Sequence, residues 1–278
     1  MPRRSLPFLL VGLMVFVAAC QGTNPDDLLS QIKSAGTIKI STDADYAPQS
    51  SVNPDGTYEG FDIDVANEIG KRLGVDVEFI APGWDAITAG SWAGRWDISV
   101  GSMTITTDRK EILDFTKPYY YTPAQMAATD ASGINSLDGL AGMTICAGSS
   151  TTYVEWMEGT LSLVDAPTPA SPPADVTVTT FDTDANCAEA VQAGRTDFEG
   201  WLSSSTTVQQ AIDDGIALHT VGDPVFYEPL AVAIDKSGPT HAELLAELDK
   251  IIQAMHDDGT LTAMSKKWYG GLDLTVSP

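Results

Sequence analysis

The chain is predicted to be an α/β protein whose sheets are mainly parallel, and three observations predict it. Short β-rich runs recur along the sequence, helical patterns separate them, and the hydrophobic share of 43% is ordinary for a globular protein. Strands that alternate with helices over this length build parallel sheets, because each parallel crossover needs a helix-sized connection. The elements follow in order. TIKIS (37–41) is a β-rich run after a glycine turn. In FDIDVANEIGKRLGV (61–75), Ile63, Ala66, Ile69 and Leu73 stand close to helical spacing. Asp62 suits that helix's N-cap and Gly74 its C-terminal cap. VDVEFI (75–80) alternates like a strand, and WDISVG (96–101), MTICAG (143–148), VTVTTF (176–181) and IALHTV (216–221) are further strands. DANCAEAVQAGR (184–195), which Asp184 opens, and HAELLAELDKIIQAMHDDG (241–259) read as helices. DAPTPASPPAD (165–175) reads as a surface excursion, since the strand–helix pattern resumes directly after it.

The N-terminus is set apart from this pattern. Arg3 and Arg4 precede an apolar run over 6–17, short of the about 20 residues a membrane-spanning helix needs and of the size of a secretory signal's central region. It ends in VAAC, which resembles the lipobox of bacterial lipoproteins. That resemblance implies removal of residues 1–19, lipid on the Cys20 sulfur and a polar tether over 20–35; an ordinary signal cut near Ala19 is the alternative. With Cys20 lipidated, Cys146 and Cys187 remain as a pair in an exported, oxidising setting. A disulfide between them is expected there, with two buried free thiols as the alternative.

Charge and missing motifs exclude several functions. The net charge of −23 becomes −25 once Arg3 and Arg4 leave, with 38 acids against 13 bases. Such a surface repels phosphate backbones, so no nucleic-acid partner is expected. The sequence holds no Gly-rich phosphate loop ending in Lys-Ser/Thr, no G-x-G-x-x-G after a strand and no G-x-S-x-G elbow. His219, His241 and His256 stand apart from one another and from any cysteine pair. Neither catalytic residues, nor a metal, nor a cofactor is expected.

Four stretches carry a resemblance: DADYAP (43–48), DGTYEGFDIDVANEIGKRLGV (55–75), GSMTITTDRKEILDFTKPYY (101–120) and YEPLAVAIDK (227–236). Together they resemble the extracellular solute-binding proteins of ABC importers, in particular the polar amino-acid-binding family of the histidine-, lysine/arginine/ornithine- and glutamine-binding proteins. The likeness runs from about Gly36 to Gly270. It implies a type II periplasmic-binding-protein fold, two α/β lobes joined by two crossover strands and closing on a ligand. Lobe 1 would hold residues 36–127 plus 230–278, and lobe 2 residues 128–229, with crossings near QMAATD and FYEPLAV. It also implies a permease partner, a location outside the cell membrane and a monomer.

The resemblance further implies a ligand set. Arg109, with Gly101, Ser102 and Thr104, would take the ligand carboxylate, since a guanidinium supplies two parallel charge-assisted hydrogen bonds that lysine cannot. A solvated helix-start arginine paired with Asp108 or Glu111 is the other reading of Arg109. Tyr46 and Trp84 would flank the ligand's side chain or pack the lobe. Asp43 would meet its polar or cationic end or close an Asx-turn. In AGSSTTY (147–153), Ser150 and Thr151 would serve the carboxylate, with the register open between Ser149 and Thr152. One departure stands out. Where the family's lobe-2 aspartate holds the α-ammonium, GRTDFEGWLSSS (194–205) places Leu202 or Ser203, so that either another acid such as Glu199 or Asp182 substitutes or the ligand is not an ordinary α-amino acid. The expected ligand is a cationic or zwitterionic amino acid, arginine or lysine first and glutamine-like next. A betaine- or ectoine-like zwitterion and a cyclohexadienyl-dehydratase-like elimination are the alternatives, Glu199 being the acid to watch for the latter.

Overall fold

The computed structural model describes residues 26–278. The signal segment expected over 1–19 and the lipid-anchor candidate Cys20 lie outside the described residues. Residues 28–35 of the stretch expected as a tether (20–35) form a helix instead. Helix α1 (Leu28–Ala35) is capped by Asp27, which accepts from the Leu29 N–H, and ends at Gly36 with φ 71°. Leu28 and Ile32 enter the core, and burial of two such side chains favours folding by about 1.5–3 kcal/mol each.

Lobe 1 begins with β1 (Thr37–Ser41), followed by a small antiparallel sheet of β2 (Asp45–Tyr46), β3 (Ser50–Val52) and β4 (Tyr58–Glu59). Helix α2 (Phe61–Leu73) buries Ile63, Ala66, Ile69 and Leu73, as their spacing requires, and Gly74 closes it in the left-handed conformation. Its N-cap is Gly60 rather than Asp62. A side chain at residue 60 would meet the Gln49 carbonyl oxygen at 2.2 Å, so only glycine allows this approach. Then come β5 (Asp76–Ile80), α3 (Trp84–Thr88), β6 (Ile98–Thr104), α4 (Thr107–Ile112) and β7 (Leu113–Phe115).

Strand β8 (Tyr120–Thr129) carries the chain into lobe 2. There β9 (Thr144–Gly148), α5 (Thr152–Met157), β10 (Thr177–Phe181), α6 (Asp184–Gln192), β11 (Gly200–Ser204), α7 (Ser205–Asp213) and β12 (Leu218–Thr220) follow. Strand β13 (Phe226–Asp235) returns, and α8 (Ala242–Asp257) and α9 (Thr260–Trp268) complete lobe 1. The excursion at 165–175 holds no helix or strand. It is pinned across lobe 2 where Ala170 donates to the Val225 carbonyl and accepts from the Trp156 indole, both at 2.7 Å.

One sheet runs through both lobes in the order β10-β9-β11-β8-β13-β6-β1-β5. The pairs β1–β5, β1–β6, β9–β10 and β9–β11 are parallel, whereas the crossovers β8 and β13 are antiparallel to each other. Their register sets Tyr120 opposite Leu230 and Ala124 opposite Phe226. Tyr120 and Leu230 pack into the core under α2 and α8, while Ala124 and Phe226 pack into a separate core with Trp156 and Leu202. Each crossover strand therefore serves one core and then the other within about four residues, which leaves a narrow double-stranded hinge between two independently packed bodies. Within lobe 2, Cys146 of β9 and Cys187 of α6 are joined by a disulfide, with Cα atoms 5.9 Å apart. It is buried among Ala188, Phe198, Trp201 and Val208.

Candidate functional site

The lobes flank a cleft, open to solvent on one side, between the C-terminal ends of β1 and β6 and the loop after β9. Asp43, Tyr46, Trp84, Gly101, Ser102, Thr104, Arg109 and Thr151 all line it. Eight of the nine expected ligand contacts, drawn from segments over a hundred residues apart, thus face one space. The ninth, Ser150, presents its carbonyl to the same wall, where it accepts from Arg109 Nη2 at 3.0 Å and from the Trp84 indole at 3.2 Å.

Arg109 is held at the buried end. Thr106 caps the short helix α4 by accepting from the Arg109 N–H, and the guanidinium turns inward to donate to the Thr104 carbonyl at 3.2 Å. Only 5% of the residue is exposed, which rules out a solvated helix-start arginine. Burial, the larger effect, lowers its affinity for a proton, and Glu155 and Glu228 act against that. Trp84 lies with its ring 5.7 Å from the guanidinium carbon, a cation–π distance. The indole is therefore packed against arginine as well as facing the cavity.

The hydroxyls beside Arg109 are engaged by carboxylates. Ser102 donates to Asp62 at 2.7 Å and lies 2.5 Å from the Tyr120 hydroxyl, while Tyr119 also donates to Asp62. Asp62, instead of capping α2, thus anchors the cavity floor, and burial raises its pKa to about 7. Thr104 donates to Glu228 at 2.6 Å. Glu228, on crossover strand β13, also accepts from Thr152 and Tyr153 of lobe 2. Sequence reasoning missed it, although YEPLAV signals it: an acid inside an apolar β-run is costly unless it is paired and hydrogen-bonded. Burial raises its pKa, and its three hydroxyl donors and Arg109 act against that.

Lobe 2 supplies further acids, Asp182 at the exposed rim and Asp184 at the buried end. Thr183, not Asp184, caps α6. This frees the Asp184 carboxyl to accept from the Gly148 N–H at 2.6 Å and from Ser203 at 3.0 Å. Ser203, which with Leu202 falls about where the family's lobe-2 aspartate would stand, steadies an aspartate from another element. Burial, with Glu228 and Asp43 nearby, pushes the Asp184 pKa up to about 7. Glu199 is no substitute: its carboxyl accepts from the Thr144 N–H at 2.9 Å, at the start of β9, and does not line the cavity. Asp43 does close an Asx-turn, accepting from the Asp45 N–H at 2.8 Å. It also reaches the cavity, and burial raises its pKa. In the loop after β9, Thr151 and Thr152 line the cavity, while Ser149 turns outward to donate to Asp85. The three histidines lie elsewhere, with His219 against Asp130, His241 against Asp114 and His256 on the Pro118 carbonyl. Among the described residues no group of three or more His, Cys, Asp or Glu is placed to hold a metal.

Two lobes on a double crossover, with a charged cavity between them, define a hinged small-molecule receptor. The family model of the bacterial extracellular solute-binding proteins, family 3, matches residues 38–271, and the chain belongs to this family. The chain is 28% identical over 266 residues to the L-cystine-binding protein TcyJ of Escherichia coli, covering 94% of this chain and 91% of that one. Among solved structures, an ancestral arginine-binding protein bound to arginine superposes with a TM-score of 0.72 at 26% identity, over 84% of this chain and 99% of that one. The ancestral amino acid-binding protein AncCDT-1, described as a precursor of cyclohexadienyl dehydratase, gives 0.73 at 30% identity over 87% and 99%. These neighbours share the type II fold expected from the sequence.

Proposed function

We propose that the protein captures a cationic amino acid, arginine or lysine ahead of glutamine-like ligands, and delivers it to the permease of an ABC importer. One observation carries this reading: a single arginine shares the cavity with four carboxyl groups, those of Asp43, Asp182, Asp184 and Glu228. A ligand that brings two positive groups and one carboxylate reduces the excess of acid in that set, whereas a purely aliphatic amino acid leaves it as it is and an acidic one adds to it.

In this reading Arg109 clamps the ligand carboxylate, with Gly101, Ser102, Thr104, Ser150 and Thr151 shaping that end. Asp184, steadied by Ser203, takes the α-ammonium with Glu228 behind it. Tyr46, Trp84 and Asp43 receive the far end, where aromatic faces attract a cation by about 0.5–2 kcal/mol. Binding holds the lobes together and presents a joined surface to the permease. Export, a lipid anchor on Cys20 and a monomeric state complete the proposal; a Cys20→Ser variant released from the membrane fraction, and a monomer mass in solution, are the expected results.

The test is a thermal-shift and calorimetric panel on protein unfolded, freed of ligand and refolded. Arginine, lysine and ornithine are expected to bind most tightly. Preference for glutamate or leucine with no response to a cationic amino acid would overturn the reading, and preference for cystine would replace it with a double zwitterion.

A further inference from the structure

We infer that Gln49, which does not line the ligand cavity, sets ligand affinity by latching lobe 1 to lobe 2 in the closed state. Its backbone belongs firmly to lobe 1. The Gln49 N–H donates to the Tyr46 carbonyl and its own carbonyl accepts from the Asp62 N–H, both at 2.9 Å. Gly60 packs against that same carbonyl, so the loop between β2 and β3 presents the side chain from a fixed base.

The partner surface is the start of α7 in lobe 2. Gln49 Nε2 donates to Ser204 at 2.9 Å and to Thr206 at 2.7 Å, while Thr207 donates to Gln49 Oε1 at 3.3 Å. All four residues are buried, Gln49 and Ser204 completely. None of them lines the ligand cavity. The lobe-2 hydroxyls are also bonded among themselves, Ser204 lying 3.0 Å from Thr206 and 2.9 Å from Thr207, and Ser204 caps α7. Lobe 2 can therefore open without stranding these groups, and the bonds to Gln49 are the part that closure adds.

Closure thus exchanges water for a fully paired amide at a place no ligand touches. A contact made only when closed raises the fraction of competent protein, and apparent affinity follows that fraction. Because the bonds break on opening, the effect falls on ligand release more than on capture.

The test is Gln49→Ala, titrated with L-arginine, or with L-cystine if arginine gives no heat. Three neutral hydrogen bonds predict at least about tenfold weaker binding, carried by faster dissociation. Thr206→Val, which removes the hydroxyl from the other lobe, is expected to weaken binding in the same direction, and the double variant to be no weaker than Gln49→Ala. Affinity within twofold of the parent in both single variants, or full additivity in the double, overturns the latch. Should neither amino acid bind, X-ray scattering of ligand-free protein decides: a larger radius of gyration for Gln49→Ala supports the latch, and an unchanged radius overturns it. That readout is independent of the ligand assigned above.

Discussion

Arg109 donates to the carbonyl of Ser150 across the cleft at 3.0 Å, so the residue assigned to the ligand carboxylate also ties lobe 1 to lobe 2. The guanidinium has five donors, of which one meets Ser150 and another Thr104. That geometry lets one side chain grip ligand and opposite lobe together. Arg109→Ala is expected to abolish binding, at a cost on the order of 3 kcal/mol or more from the lost charged contact and the unpaired carboxylate. Arg109→Lys should restore little, because a single ammonium cannot span both partners. Calorimetry with the amino acid preferred by the parent checks this, and affinity within threefold would refute the clamp.

The Asp184 carboxyl, with a pKa of about 7 in the ligand-free protein, is expected to make capture of a cationic amino acid pH-dependent. Below about pH 7 it is protonated and must release a proton to pair with an ammonium. Affinity should therefore rise from pH 5 to pH 8, with proton release on binding. Titrations in buffers of different ionisation enthalpy measure that release directly. Asp184→Asn should weaken binding at pH 8 and flatten the upper part of the profile.

Asp62 tests the same physics through stability. Its pKa rises from 3.8 to about 7 on folding, chiefly by burial. The folded protein thus holds this proton more tightly than the unfolded chain, so the group's stabilising contribution is complete below about pH 4 and is lost as pH rises through about 7. Asp62→Asn should gain stability relative to the parent at pH 8, with the difference shrinking towards pH 4. Urea midpoints at the two pH values decide it, and a constant difference would show that the carboxyl stays ionised throughout.

Removing the Cys146–Cys187 bridge should destabilise lobe 2. The cysteines are 41 residues apart, for which the chain-entropy model gives about 4 kcal/mol. In a domain of this size that corresponds to a fall of roughly 10 °C in melting temperature. A Cys146→Ser/Cys187→Ser variant, compared with the parent with and without reductant, provides the measurement. Its ligand affinity should change little, because neither cysteine lines the cavity.

The sequence by itself determined the alternating strand–helix order, and it left Cys146 and Cys187 as a candidate pair that the fold then joined. The set from Asp43 to Thr151 came from a family resemblance carried by short motifs, and eight of its nine residues line one cavity. These were legible because period, turn chemistry and short motifs are local properties of the chain. Even the α1 helix had a local signal, Asp27 before Leu28 and Gly36 after Ala35, hidden by reading the stretch as part of a tether. Tertiary structure alone decided which acids enter the cleft. Glu199, Asp182 and Asp184 look alike in sequence. Yet Glu199 turns to the Thr144 amide at one end of β9, while Asp184 accepts from Gly148 at the other end. Glu228 gained its place because β13 crosses between the lobes where Thr104, Thr152 and Tyr153 converge. Gln49 meets Ser204 and Thr206 only because the two lobes pack together there. The reason is physical: a carboxyl or an amide acquires its role from desolvation and from donors brought by distant strands, and those are fixed by how two lobes pack, not by neighbours along the chain.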